Sequence, residues 1–284
     1  MGRIAYVNGQ YVRHGDAVVH IEDRGFQFAD AVYEVIAVQK GCLIDGDGHF
    51  DRLERSLSAI QISLPMSRAA LKLVIREVLR QNRITFGAIY LQISRGQAPR
   101  DFSFPQGIIP TLVVTAKRIK PFDFNIVSKG VEVISIEDIR WKRCDIKSVS
   151  LLAGAMGKTH AVNQGAFEAW QINAEGFVTE GTSSNAWIVT PEGELVTRHL
   201  DANILGGITR QTILKLAQEK NLKYVERAFS LQEAQKAREA FTSSTTAFIR
   251  PVVKIDGVGI GDGKPGALCL ELLKLYGKHM EQAQ

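Results

Sequence analysis

The sequence predicts a mixed α/β protein of the α+β kind, organised in two domains. Three observations lead there. A chain of 284 residues is about two domains long at roughly 150 residues each. In its first half the apolar residues alternate as in strands, then recur at helical spacing, then alternate again. Residues 118–125, Arg-Ile-Lys-Pro-Phe-Asp-Phe-Asn, then break the pattern with Pro121 before a second series of strands and helices begins. The division expected is a first domain over 1–119, a linker at 120–125 and a second domain over 126–284.

The elements follow in order. Residues 3–7 and 10–12 flank Asn8-Gly9, the dipeptide best suited to a tight type I′ hairpin turn. Residues 31–39 are rich in β-formers, and Lys40-Gly41 turns them into residues 42–44. Phe50, Leu53, Leu57 and Ile60 then recur at helical spacing. A second helix opens on Ser67 as N-cap and lines up Leu71, Val74, Ile75, Val78 and Leu79. Residues 86–94 and 111–117 read as strands, so this half packs helices on a mainly antiparallel sheet. Beyond the break, strands are expected at 131–136, 167–172 and 185–189, with turns at Ala174-Glu175-Gly176 and Pro191-Glu192-Gly193. Helices are expected at 150–163, 208–220 and 266–280.

Composition narrows the function classes. There are 35 basic and 30 acidic residues, a net charge of +5. The basic residues are scattered without long runs, so a solvated surface is expected rather than a nucleic-acid footprint. A modest positive field suits an anionic substrate or cofactor. Cys42, Cys144 and Cys269 are odd in number and widely spaced, which argues against a disulfide scaffold or a zinc knuckle. There is no apolar leader over Met1 to Gln10 and no run of 18 apolar residues, so neither a secretory signal nor a membrane span is expected. A reducing cytoplasm is the expected setting.

Three motifs fail on inspection. Gly157-Lys158-Thr159 ends like a phosphate-binding loop, but Leu152 stands where that loop needs a glycine, and the stretch reads as helix interior. Gly257, Gly259, Gly261, Gly263 and Gly266 do not give the dinucleotide spacing and read as a flexible loop. His49 and Asp51 are two ligand types in one short segment, and a surface or capping role is the expectation over a metal.

One segment stands out, Trp141-Lys142-Arg143-Cys144-Asp145-Ile146-Lys147-Ser148. Alone, Lys147 reads as a surface lysine in a loop, Glu180 beside Gly181 as an exposed turn residue, and Arg52 as part of a charged helix face. Thr209 reads as a helix N-cap, and Arg100 as part of an ordinary exposed turn. Together the segments carry more. The runs Arg24-Gly25-Phe26-Gln27-Phe28 and Tyr33-Glu34-Val35, then Cys144-Asp145-Ile146-Lys147-Ser148, Glu180-Gly181-Thr182-Ser183-Ser184-Asn185 and Gly207-Ile208-Thr209-Arg210, lie in order along the chain. This pattern resembles the class IV, or fold type IV, pyridoxal-phosphate aminotransferases, and most nearly their D-amino acid transaminases.

The resemblance implies two α/β domains with the cofactor site at their interface and pyridoxal 5′-phosphate as cofactor. It implies that Lys147 forms the Schiff base with the cofactor's aldehyde, exchanges it for the substrate amine and then shuttles a proton. Glu180 would pair with the pyridine nitrogen. Arg52 would hold the phosphate, with the backbone N–H groups of Ile208 and Thr209 at a helix N-terminus, where orphan donors favour anions. The Thr209 hydroxyl and Thr245 would add hydrogen bonds. Tyr33 and Arg100 match positions that hold the substrate α-carboxylate, for which the planar guanidinium fork is suited. In the family the Arg100 loop reaches the neighbouring subunit, which implies a homodimer.

The chain departs from the pattern at one point. D-enzymes carry Arg-x-His where this sequence has Arg100-Asp101-Phe102. Phe102 donates no hydrogen bond, and Asp101 would repel a carboxylate if it pointed inward. Tyr33 and Tyr90 are the residues expected to compensate. The activity expected is amino-group transfer from a D-amino acid, such as D-alanine or D-glutamate, to a 2-oxo acid, with (R)-primary amines as further donors. The alternatives are a branched-chain L-amino acid aminotransferase and an aminodeoxychorismate lyase.

Overall fold

Asn8 and Gly9 both take positive φ, 44° and 96°, the backbone that a type I′ turn demands. They close a hairpin of β1 (Ile4–Val7) and β2 (Gln10–Arg13). The computed structural model describes residues 3–282 and divides them into two units. One runs to Pro121 and takes in Ile146–Ser150, and the other comprises Phe122–Asp145 and Leu151–Gln282.

In the first unit a short helix α1 (Arg24–Phe28), capped by the Asp23 carboxylate at Gly25 N, leads into β3 (Ala31–Gln39). After β4 (Cys42–Leu43) come helices α2 (Gly46–Ala59) and α3 (Arg68–Asn82). Ser67 caps α3 through Ala70 N, as expected. Strands β5 (Gly87–Ser94) and β6 (Thr111–Arg118) complete a six-stranded antiparallel sheet of order β2-β1-β6-β5-β3-β4.

The core gathers Ile36 and Val38 of β3, Leu53 and Leu57 of α2, Ile75 and Val78 of α3, and Ile89, Leu91 and Ile93 of β5. Each such side chain contributes roughly 1.5–3 kcal/mol on burial. Strand alternation sends Val32, Glu34 and Ile36 to this face, and Tyr33 and Val35 to the other. A carboxylate therefore sits on the apolar face of the sheet.

Ile146 packs into the same core, and Ser148 bridges to Val32. This segment lies within the stretch that the sequence assigns to the second domain. Nothing in its composition signals the detour, which is fixed by pairing along the start of β3.

The second unit opens on α4 (Phe124–Val127), capped by Asp123. The residues read as a linker thus pass directly into a helical turn. Then follow β7 (Val131–Glu137), α5 (Leu152–Asn163), β8 (Glu168–Ile172), β9 (Val178–Gly181), β10 (Asn185–Val189) and β11 (Leu195–Thr197). Helix α6 (Ile208–Glu219), β12 (Tyr224–Glu226), α7 (Leu231–Gln235), β13 (Glu239–Ser244), β14 (Phe248–Ile255), β15 (Val258–Gly259) and α8 (Ala267–Gln282) complete it.

Its nine-stranded sheet runs β12-β11-β10-β13-β14-β7-β8-β9, with β15 beside β14. β7 and β8 are parallel, the pairing a helical crossover produces, and α5 is that crossover. Gly157-Lys158-Thr159 lies inside α5. The glycine-rich stretch is not wholly a loop, since Val258 and Gly259 pair with β14. No helix among the described residues is long and apolar enough to cross a membrane.

Candidate active site

Lys147 is half-buried rather than a surface residue. Its backbone is fixed at both ends of the residue. Its carbonyl accepts from Tyr33 N at 3.0 Å, and its N–H donates to Ser56 Oγ at 3.3 Å. Its Nζ lies 4.3 Å from the Tyr33 ring centre. Tyr33 stacks on Tyr90 at 5.7 Å, and the Tyr90 hydroxyl donates to Gln92 Oε1 at 2.6 Å. Burial, helped by Tyr33, pushes the Tyr90 phenol up to about 12, so it stays a neutral donor.

On the opposite face of β3, Glu34 is fully buried and takes Arg52 in a fork, Nε to Oε1 at 2.8 Å and Nη2 to Oε2 at 2.7 Å. His49 Nδ1 reaches the same Oε2 at 2.7 Å. Burial alone would raise the Glu34 pKa, but the Arg52 charge and hydrogen bond, with His49, outweigh it and hold the carboxyl at about 2. Burial pushes the His49 ring down, and Arg52 and Lys147 push in the same direction against Glu34. An ionised Glu34 can only accept, so His49 carries its proton on Nδ1 and leaves Nε2 as an acceptor. His49 and Asp51 share no site. His49 points inward to Glu34, while exposed Asp51 pairs with Arg68 at 2.6 Å.

Arg100 is exposed, with its guanidinium over the rings of Phe28 at 4.9 Å and Phe102 at 5.8 Å. The Asp101 carboxylate turns back on its own loop, accepting from Ser103 N at 2.7 Å and Ser103 Oγ at 2.5 Å. The first unit therefore gathers Lys147, Tyr33 and Tyr90 on one face of β3, with Arg52 and His49 on the other. Arg100 stands apart on its loop.

In the second unit Glu180 is a buried residue of β9, not an exposed turn residue. Its carboxylate accepts from Arg140 Nη1, from Asn185 Nδ2 at 3.1 Å and from Leu205 N at 3.2 Å. Arg140 is in turn forked onto Asp138 at 2.8–2.9 Å. Burial disfavours the Arg140 charge, but Asp138 and Glu180 outweigh it and hold the guanidinium firmly protonated. Asp138 is held below its ordinary value by the same arginine despite its burial. Nearby Cys144 donates to the Trp141 carbonyl, and burial pushes its thiol up to about 11, so it is no nucleophile at neutral pH.

Asn185 Nδ2 also donates to Leu205 O at 2.9 Å, tying Glu180 to the turn before α6. That helix is capped by Gly207, not Thr209, and no side chain caps its N-terminus. Its first N–H groups can therefore take an anion. Thr209 stands one residue into the helix, with its hydroxyl 3.5 Å from Tyr276 Oη. Thr245 lies in the turn between β13 and β14, and β13 registers Ser243 opposite Asn185.

Sequence reading missed Glu34 as the partner of Arg52, Arg140 and Asn185 as the partners of Glu180, and Asp138 as the partner of Arg140. Glu34 and Asn185 stood inside the quoted motif runs, which was the available signal. Arg140 had none. Chemically, the first unit offers an amine beside a phenol and a buried guanidinium. The second offers a carboxylate among donors, next to an anion-binding helix end.

The class IV aminotransferase model matches residues 31–255, a span holding every candidate site residue above. Over 276 residues the chain is 38% identical to the D-alanine aminotransferase of Staphylococcus haemolyticus, covering 97% of each chain. Over 261 residues it is 42% identical to that of Bacillus licheniformis, covering 92% of this chain and 91% of the relative. A solved branched-chain amino acid aminotransferase of Thermobaculum terrenum, in its PLP-form, matches at a TM-score of 0.86 and 22% identity, covering 100% of this chain and 95% of the other. That last likeness is one of fold. The chain belongs to the class IV aminotransferases.

Proposed function

We propose that this aminotransferase uses pyridoxal 5′-phosphate to move the amino group of a D-amino acid, D-alanine or D-glutamate, to a 2-oxo acid. The observation that carries the reading is the 38–42% identity, over more than nine-tenths of the chain, to D-alanine aminotransferases. The branched-chain alternative rests on fold likeness at 22–25% identity.

The residue types fit the cofactor. Lys147 is an amine, Arg52 a guanidinium locked in orientation by Glu34, Glu180 a buried carboxylate, and α6 begins without a side-chain cap. Bound, pyridoxal phosphate supplies an electron sink that stabilises negative charge at the substrate Cα. Lys147 Nζ would hold the cofactor and would move the proton at the substrate Cα. Glu180 would hold the pyridine nitrogen. By the family resemblance, Arg52 would hold the phosphate, as would the N–H groups of Ile208 and Thr209 and the hydroxyls of Thr209 and Thr245. Tyr33 and Arg100 take the substrate carboxylate, with Tyr90 fixing Tyr33.

Phe102 and Asp101, whose carboxylate is turned back on its own loop, add no donor to that carboxylate grip. Donors lacking a carboxylate, the (R)-primary amines, are therefore accepted as well. The loop presents strongly exposed Phe102 and Ile109; such apolar surface suits a protein neighbour, and we assign it to the second subunit of a homodimer. The three free cysteines suit a reducing cytoplasm.

A half-reaction tests the activity. Protein loaded with pyridoxal phosphate is mixed with D-alanine or L-leucine without acceptor, and its visible absorbance is followed, with Lys147→Ala as control. Fast loss with D-alanine alone is expected. Fast loss with L-leucine alone moves the chain to the branched-chain reading, and loss with neither leaves the lyase.

A further inference from the structure

We propose that Arg24, Asp30 and Arg95 form a clamp that positions the Arg100 loop, and so set the affinity for substrates bearing an α-carboxylate. The proposal rests on the reading of Arg100 as the carboxylate-binding residue.

The loop between β5 and β6 has little regular structure of its own. Its base is tight, since a Cβ on Gly96, at φ +108°, would lie 2.1 Å from Ile109 O. Beyond the base it is held by charge. Asp30 is nine-tenths buried and accepts from two guanidinium groups, Arg24 Nε at 2.8 Å and Arg95 in a fork at 2.7 and 3.0 Å. Arg24 and Arg95 are themselves buried.

One carboxylate against two cations leaves one positive charge over, and it goes to backbone carbonyls. Arg95 donates to Ile60 O and Gln61 O. Arg24 Nη1 donates to the Asp101 carbonyl at 2.6 Å, one residue beyond Arg100. The Arg95 guanidinium also lies 3.7 Å over the Phe104 ring.

The link to Arg100 is the Phe28 ring. Arg24 sits over it at 4.5 Å and Arg100 at 4.9 Å, while Phe102 meets it edge-on at 5.5 Å. Arg24 thus fixes both the peptide after Arg100 and the ring on which Arg100 rests. Two buried cations are costly to keep, and cations on aromatic faces are held in orientation as well as place. The arrangement has the form of a support built for an exposed functional arginine.

The test is Arg24→Lys in the loaded enzyme. Lysine keeps the charge beside Asp30 but has no second arm for Asp101 O. The KM for D-alanine is expected to rise about tenfold, the size of one charge-assisted hydrogen bond, with kcat and pyridoxal phosphate affinity unchanged. Arg100→Lys alone is expected to raise it similarly. In the double variant the two effects are expected not to add, because Arg24 acts through Arg100.

A rise with Arg100→Lys but not with Arg24→Lys overturns the clamp alone. No rise with Arg100→Lys overturns the reading of Arg100, and the clamp with it. Additive effects, or a parallel loss of cofactor affinity, reduce Arg24 to a structural residue. Should Arg24→Lys not fold, Phe104→Leu, which removes only the Arg95 stack, is read in the same cycle; no coupling to Arg100→Lys there also overturns the clamp.

Discussion

Replacing Glu34 by glutamine keeps its shape and removes its charge. Arg52 and His49, both nearly inaccessible to solvent, would then face a neutral amide. The native carboxyl is held at about 2, against an ordinary 4.5. At about 1.4 kcal/mol per pH unit, that difference contributes about 3 kcal/mol to folding at neutral pH. The pKa is depressed in the folded state, so the contribution is complete well above pH 4.5 and fades as pH falls toward 2. About 1 kcal/mol is gone by pH 4 and about 2 kcal/mol by pH 3. Glu34→Gln lacks the contribution at every pH. Its Tm is expected to lie about 6 °C below the parent at pH 7, at roughly 2 °C per kcal/mol for a chain of this size, and the gap should shrink at pH 4. Arg52, no longer held in its fork, should also bind pyridoxal phosphate about tenfold more weakly. Calorimetric scans of both proteins at the two pH values, with a cofactor titration by fluorescence, decide the matter. An equal gap at pH 7 and pH 4, or no gap, would refute the role given to the ionised carboxylate.

Two further changes probe the phosphate and carboxylate ends. A Cβ on Gly207 would lie 2.1 Å from Asn185 Oδ1, whereas one on Gly206 would meet only Leu200 methyls at 3.6 Å; equilibrium dialysis should show about tenfold weaker pyridoxal phosphate binding for Gly207→Ala and little change for Gly206→Ala, and equal losses would detach this turn from the phosphate. Phe102→His restores a donor beside Arg100, so the KM for D-alanine should fall about tenfold while turnover of (R)-1-phenylethylamine drops; an unchanged ratio of the two would separate Phe102 from donor choice.

The first unit was largely legible because its elements are amphipathic. Period two and period 3.6 each leave a pattern when one face is apolar and the other wet, as in α3 and β3. The second unit hid more. β9 is buried at every position, and β13 at all but Ser244. A strand covered on both faces shows no alternation, and Glu-Ala-Phe-Thr-Ser-Ser of β13 looks no more like a strand than like a loop. α1 and α4 span five and four residues, too short for a period to declare itself. The return of Ile146–Ser150 to the first unit depends on a pairing with β3 more than a hundred residues away.

The site divides in a similar way. The family resemblance marked Lys147, Arg52 and Glu180, each of which alone reads as an ordinary surface residue. Their partners are set by tertiary register. Tyr33 and Glu34 are neighbours in sequence, and the pleat of β3 sends one toward Lys147 and the other toward Arg52. The pairing of Tyr33 with Gln92 and of Val35 with Tyr90 fixes that parity. A slip of one residue would carry Glu34 to the Lys147 face and leave the Arg52 guanidinium buried without a counter-charge. The run Tyr-Glu-Val therefore holds two parts of the site because its strand serves both faces. A change that shifts the β3 register should cost cofactor and substrate binding together, although it touches neither ligand.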